Sequence, residues 1–169
     1  IKILSSLKVH KLVSEQIKNI LGKAGISPHT EITIKEVRGE NSNSVFRIDC
    51  GNLSYALKVF SNSKESGQFY ANKIFNQSAT ENSISTPQII HSSADCNFIP
   101  TPWIIWEWFP GKPSCDIESK SERQEVAFKA GVELRKMHEI KMPGFGCPDA
   151  KDEWSGEDIK STIDFFIRR

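Results

Sequence analysis

The feature that most constrains the fold is a pair of segments, 44–50 and 53–60, separated by only Gly51 and Asn52. The segments SVFRIDC and LSYALKVF are rich in β-branched and aromatic residues, and the first alternates between apolar and polar positions. Gly51-Asn52 is typical of a two-residue hairpin turn, because glycine adopts a positive φ without a Cβ clash. The sequence therefore predicts an antiparallel hairpin at this point.

Further strands and helices surround the hairpin. Alternation in EITIKEV predicts a strand at 31–37, and β-forming residues predict strands at 87–93 and 102–109. The last of these is apolar on both faces, so we expect it to be central and covered. Apolar residues at helical spacing predict an N-terminal helix that ends at Gly25 and a second helix over 64–77. The expected fold class is α+β, with helices on a five-stranded antiparallel sheet.

The character of the chain changes after the linker PGKPS at 110–114, where two prolines prevent sheet pairing. Ser121 and Gln124 have capping-box spacing, which predicts that a helix begins there. Its apolar stripe consists of Val126, Ala127, Ala130, Leu134, Met137 and His138. Ser155 with Asp158 predicts the start of a last helix.

Composition and charge limit the function. The 22 Lys+Arg and 21 Asp+Glu residues give a formal charge of +1, which argues against nucleic acid or an anionic membrane as partner. The first residues lack the apolar run of a secretory signal, so we expect a cytoplasmic protein. The four cysteines lie far apart and form no C-x-x-C pair, so we expect thiols rather than a metal site.

Two neighbouring features have the chemistry to bind phosphate. Glycine, asparagine and serine are concentrated between Arg38 and Ile48, where backbone N–H groups could converge on an anion; an ordinary hairpin would also have this composition. Lys58 is the one charged residue of its strand, and the small Ala56 beside it leaves room for a flat base. The alternative is a lysine on an edge strand that reaches water.

The segment WIIWEWFPGKP, residues 103–113, adds a third feature. A strand that leaves the sheet at Pro110-Gly111 exposes backbone groups that could pair with an adenine edge, and Trp106 could close the rear of such a pocket. The tryptophans could equally build a core strand with no ligand.

These features, in this order, resemble the N-terminal part of the aminoglycoside phosphotransferase and choline-kinase-like family of small-molecule kinases. The resemblance runs from about Glu31 to Gly146 and includes GENSNSVFRI, YALKVF and AGVELRKMHEIKMPGFG. It implies a protein-kinase-like fold with an N-terminal helix in 1–30, a nucleotide-binding N-lobe over 31–109, a hinge over 110–120 and the start of a helical C-lobe over 121–169.

The resemblance also implies roles for individual residues. Lys58 is expected to bind the α- and β-phosphates, Ala56 to line the adenine pocket and Trp106 to guard its rear. The backbone of Glu107 and Phe109 is expected to hydrogen-bond the adenine. The full set of expected cofactor-binding residues is Asn41, Ser42, Asn43, Ala56, Lys58, Trp106, Glu107, Trp108 and Phe109. Arg47 and Asp49 are expected to face solvent.

Two parts of the family pattern differ here. The glutamate that orients the lysine is not evident, because Gln68 or Gly67 is expected at the middle of the helix face and Glu65 at its edge. A neutral Gln68 would hold an ammonium less strongly than a carboxylate. The catalytic string H-G-D-x-x-x-x-N is absent from the sequence, and His138 is followed by Glu139. We therefore assign no catalytic or metal-binding residue.

The resulting expectation is the nucleotide-binding portion of an enzyme that transfers a phosphoryl group from ATP or GTP to a hydroxyl of a small molecule, such as an aminoglycoside or a similar metabolite. The Mg²⁺ ligands and the catalytic loop are expected beyond residue 169, and this chain alone is expected to be inactive. The alternatives are a non-catalytic nucleotide-binding (pseudokinase) module and a protein-interaction module. The phosphate acceptor, the choice of ATP or GTP and the oligomeric state stay open.

Overall fold

The computed structural model describes residues 15–26, 31–37, 43–60, 66–95, 97–112, 114–142, 148–149 and 154. Helix α1 covers residues 15–23. The other elements are β1 (Ile32–Val37), β2 (Ser44–Cys50), β3 (Leu53–Val59), α2 (Ser66–Glu81), β4 (Ile89–Ser93), β5 (Trp103–Glu107), a 3₁₀ turn (Ser114–Asp116) and α3 (Lys120–Glu139). The chain divides into two compact units, one with residues up to Phe69 and Gln88–Trp108, the other with Tyr70–Pro87 and the residues from Phe109 onward.

The first unit contains a five-stranded sheet in the order β1-β2-β3-β5-β4. Every neighbouring pair is antiparallel, as predicted. Cys50 pairs with Leu53 across the predicted hairpin turn, and Gly51 adopts a φ of 58°. β3 is the central strand, and β5 lies between β3 and β4, so the expectation that segment 102–109 forms an interior strand is confirmed.

One face of this sheet, which we call the core face, packs against α1. Its buried side chains are Phe46, Ile48, Cys50, Tyr55, Leu57, Trp103 and Ile105. α1 contributes Ile17, Ile20 and Leu21 to the same cluster, at the spacing of one helical stripe. α1 ends as predicted, with Gly25 at a φ of 72° and the Ile26 N–H donating to the Leu21 carbonyl at 3.0 Å.

Helix α2 differs from the sequence prediction in its end and in its buried face. It extends to Glu81 rather than residue 77. Ser83 follows at a φ of 56°, and the Ile84 N–H donates to the Ala79 carbonyl at 2.9 Å. Gln68 or Gly67 was expected at the middle of the buried face; Gln68 is exposed, Gly67 is half-buried and Phe69 is the buried residue.

In the second unit, α3 begins two residues earlier than predicted. Its N-cap is Ser119, whose Oγ accepts the Glu122 N–H at 3.3 Å, rather than Ser121. α3 buries none of its side chains among the described residues, and Leu134 and Met137 of the apolar stripe are each 51% exposed. The helix predicted from Ser155 lies outside the described residues.

Candidate functional site

The other face of the sheet, which we call the site face, carries polar and charged side chains among apolar ones. In neighbouring antiparallel strands, paired residues project to the same face and their Cβ atoms lie roughly 5 Å apart. Arg47, Ala56 and Trp106 form one such row across β2, β3 and β5. Val45, Lys58 and Ile104 form the next row. The register therefore places Ala56, Lys58 and Trp106 on one face of two neighbouring strands; their role in binding a nucleotide stays a prediction.

Lys58 occupies the central strand and is half-buried. Its Nζ lies 5.0 Å from the centroid of the Phe60 ring, within cation–π range. Phe60 is fully buried and packs edge-to-face on Phe69 of α2, with ring centroids 5.8 Å apart. The alternative of a lysine on an edge strand is wrong, because β2 and β5 flank this strand on both sides.

Exposure rises along β5 on the site face. Of the two β5 residues on this face, Ile104 is buried and Trp106, two positions further along, is half-buried. Ala56, directly opposite Trp106, is half-buried too. We call this pair of a small and a large side chain the Ala56–Trp106 step; Ala56 lies two residues before Lys58 on β3.

The segment that leaves β5 is held on both sides. The Glu107 N–H donates to the Gln88 carbonyl at 3.0 Å, and the Trp108 N–H donates to the Ser54 carbonyl at 3.0 Å. N–H and C=O groups of one strand residue point the same way, so the Glu107 carbonyl also points away from β3. Its side chain lies on the core-face side, which leaves the main chain as the group available for recognition. Phe109 begins the second unit and is 59% exposed.

A network of four residues fastens this segment to the hairpin. Arg47 Nε donates to Asp49 Oδ1 at 2.8 Å, and Ser54 Oγ donates to the same oxygen at 2.6 Å. The Arg47 Cζ lies 4.7 Å from the centroid of the Trp108 ring. Arg47 and Asp49, which were expected to face solvent, lie on the face away from the hydrophobic core, and their side chains are 39% and 27% exposed while they bind each other.

The same contacts change the acidity of Asp49. The hydrogen bond from Ser54, followed by that from Arg47, lowers the pKa of the Asp49 carboxyl below its ordinary value of 3.8. Asp49 is therefore charged at neutral pH and holds the guanidinium in its stacked position. Sequence reasoning missed this network, although strand alternation already places Arg47 on the same face as Ala56.

Some predicted site residues cannot be placed in this geometry. Asn41 and Ser42 lie outside the described residues, and so does Glu65. Asn43 directly precedes β2 and is half-buried. Gln68 is exposed on the first turns of α2, so its role as the partner of Lys58 stays a prediction.

Two further observations concern the described residues as a set. Among them, no group of histidine, cysteine, aspartate and glutamate side chains is arranged to hold a metal ion. None of their helices has both the length and the apolar character required to cross a bilayer. Cys50 is buried and Cys115 exposed, and both are thiols.

The sheet order and the flanking helices define a protein-kinase-like α+β fold, and comparison with solved structures gives the same result. APH(4)-Ia, an aminoglycoside phosphotransferase, matches with a TM-score of 0.66 at 15% identity over 91% of this chain and 50% of its own. A candidate aminoglycoside phosphotransferase from Ralstonia eutropha JMP134 matches with a TM-score of 0.64 at 13% identity over 92% of this chain and 46% of its own. An aminoglycoside-3'-phosphotransferase of type VIII matches with a TM-score of 0.58 at 18% identity over 79% of this chain and 47% of its own.

The family model for the phosphotransferase enzyme family, APH, matches residues 33–160. The chain belongs to this family. It spans about half the length of the solved structures that it matches. Comparison with curated proteins gives no significant match.

Proposed function

We propose that this chain forms the nucleotide-binding part of a phosphotransferase that moves the γ-phosphoryl group of ATP or GTP to a hydroxyl of a small molecule. The observation that carries the proposal is the position of Lys58, half-buried on the central strand, in the row beside Ala56 and Trp106. Family membership supports the reaction class.

The charge and position of Lys58 suit a phosphate ligand. An ammonium group forms charge-assisted hydrogen bonds with anionic oxygens, which are about twice as strong as hydrogen bonds between neutral groups. The Lys58 Nζ also lies 5.0 Å from the centroid of the Phe60 ring. A nucleotide triphosphate carries the multiple negative charges that such a lysine neutralises in phosphotransferases.

The base would lie on the step formed by Ala56 and Trp106, beside the segment that leaves β5. The Glu107 carbonyl, which points away from β3, would accept a hydrogen bond from an exocyclic amino group of the base. The hydrogen bond expected between Phe109 and the base stays a prediction from the family resemblance. Trp106, directly opposite Ala56, would limit how deeply the base can enter.

The chemical step needs groups beyond those proposed for nucleotide binding. Phosphoryl transfer uses a carboxylate that accepts the proton of the attacking hydroxyl, and Mg²⁺ that neutralises charge on the phosphates. The sequence contains no H-G-D-x-x-x-x-N string to supply them. We therefore assign binding and orientation of the nucleotide to this chain. The names of the solved relatives suggest aminoglycoside-like molecules as the acceptor class.

Calorimetric titration of the 169-residue chain with ATP, and separately with GTP, tests the proposal. Lys58→Met should weaken binding by about 10- to 100-fold, since charge-assisted contacts contribute roughly 1.5–3 kcal/mol. Lys18→Met, which removes an exposed lysine on α1, is the matched control and should bind as the wild type does. Absence of nucleotide binding in the wild type would favour a protein-interaction module. Equal affinity in the Lys58→Met variant would contradict the role given to Lys58.

A further inference from the structure

The network of Arg47, Asp49, Ser54 and Trp108 has a role that neither the family match nor the sequence pattern assigns. It joins residues from β2, β3 and the segment after β5 in a closed circuit of contacts. Arg47 bonds Asp49, Asp49 accepts from Ser54, Ser54 accepts the Trp108 N–H through its carbonyl, and the Trp108 ring stacks on Arg47.

We propose that Arg47 is a positioning residue for base recognition, which holds Trp108 and thereby the backbone of Glu107 and Trp108 beside the proposed base site. The inference rests on the proposed nucleotide site. It assigns to Arg47 a contribution to binding of the base and none to binding of the phosphates.

The geometry separates these two contributions. Arg47 lies in the row of Ala56 and Trp106, one row away from Lys58. Its guanidinium is drawn toward Trp108, with the Cζ 4.7 Å from the ring centroid, and its Nε is engaged by Asp49. The charge is therefore directed toward the exit of β5 and is already paired with a carboxylate.

The contact between Arg47 and Trp108 lies at the last residue of this segment for which we describe a backbone hydrogen bond to the sheet. Glu107 and Trp108 each donate a backbone hydrogen bond to the sheet, at 3.0 Å. The next residue, Phe109, is largely exposed, and Pro110 and Gly111 follow it with exposed side chains or backbone. Fixing the Trp108 ring restricts the main chain directly before this exposed stretch. A preorganised backbone binds a ligand more tightly because less ordering is needed on binding.

A positive charge alone does not explain why an arginine contacts Trp108. Lys35 of β1 is paired with Arg47 in the register and is exposed, so the site face has another cation next to it. Arginine has a planar guanidinium that stacks on an indole and donates to a carboxylate at the same time, which lysine does not reproduce.

The test compares two ligands, ATP and inorganic triphosphate, by calorimetry on the full 169-residue chain. For Arg47→Met we expect ATP affinity to fall about 3- to 30-fold, the range of a partly buried cation–π contact, while triphosphate affinity stays within about twofold. Arg47→Lys should lie between the wild type and Arg47→Met. Lys35→Met removes a neighbouring charge without removing the stack, and should leave both affinities within about twofold.

A double-mutant cycle tests whether Arg47 acts through Trp108. Trp108→Leu removes the other partner, and the combined Arg47→Met and Trp108→Leu variant should lose no more ATP affinity than Trp108→Leu alone. Wild-type ATP affinity in Arg47→Met, or equal weakening of ATP and triphosphate, would overturn the inference while the nucleotide site stands. Failure of the wild type to bind either ligand would overturn the proposed function itself.

Discussion

The two faces of the sheet differ in chemistry although they share the same strands: the core face is apolar, and the site face mixes charged and apolar side chains. On the core face, Ile48 and Leu57 are fully buried beneath α1. On the site face, the ionisable residues Lys58, Arg47 and Asp49 occupy half-buried positions. A sheet needs only one apolar face to fold, so the other is available for a ligand. Alternate residues of β2 and β3 therefore separate the side chains that build the core from those assigned to the proposed site.

The largest expected effect breaks the core face. Leu57→Ala should lower the free energy of unfolding by about 2–5 kcal/mol, because it leaves a cavity where the side chain is fully buried. The neighbouring Lys58→Met change should alter the free energy of unfolding by about 1 kcal/mol or less. Urea unfolding measures both. Similar losses in the two variants would contradict the division of the sheet into a stabilising face and a binding face.

A smaller effect tests the site face by filling it. Ala56→Leu adds apolar volume on the step beside Trp106. It should lower ATP affinity about 5- to 150-fold, since overpacking costs roughly 1–3 kcal/mol, and should leave triphosphate affinity within about twofold. Thr33→Leu makes a similar addition at an exposed position of β1 and serves as the control. Unchanged ATP affinity in Ala56→Leu would contradict the proposed position of the base beside Ala56.

The smallest effect concerns the acidity of Asp49. Its pKa is lowered chiefly by Ser54, so Ser54→Ala should move the pKa back toward 3.8 in a carbon-detected NMR titration. A lowered pKa contributes stability above the ordinary value, and that contribution is lost as the pH falls through the lowered value. The difference in stability between the wild type and Ser54→Ala should therefore shrink in acid. An Asp49 pKa that does not change in Ser54→Ala would contradict the hydrogen bond from Ser54 to Asp49.

Much of the first unit could be predicted because short-range signals determine it. Gly51-Asn52 fixed the hairpin, and the lone charge of Lys58 in an apolar strand pointed to the site face. The contact between Arg47 and Trp108 could not be predicted in this way. Alternation places both side chains on one face, but a diagonal contact depends on rotamers that only the folded sheet selects.

The helix ends show the same limit. Gly25 marked the end of α1 because glycine is the usual residue at a positive φ. α2 ends with the same type of turn, but Ser83 occupies the left-handed position. The sequence therefore had no glycine there to indicate the end of the helix. Ser119 and Ser121 both precede suitable partners, and the contact with the Glu122 N–H decides in favour of Ser119. Residue type alone does not distinguish two serines that could each serve as the N-cap.

The most direct test of the binding face uses the tryptophan indole signals of the ¹⁵N-labelled chain. Trp103 lies on the core face, stacked on His91, whereas Trp106 and Trp108 lie at the site. On addition of ATP we predict that the indole N–H signals of Trp106 and Trp108 shift and that the Trp103 signal stays in place, with assignments from single Trp→Phe variants. A shift of Trp103 alone, or no shift in any of them at saturating ATP, would contradict the account.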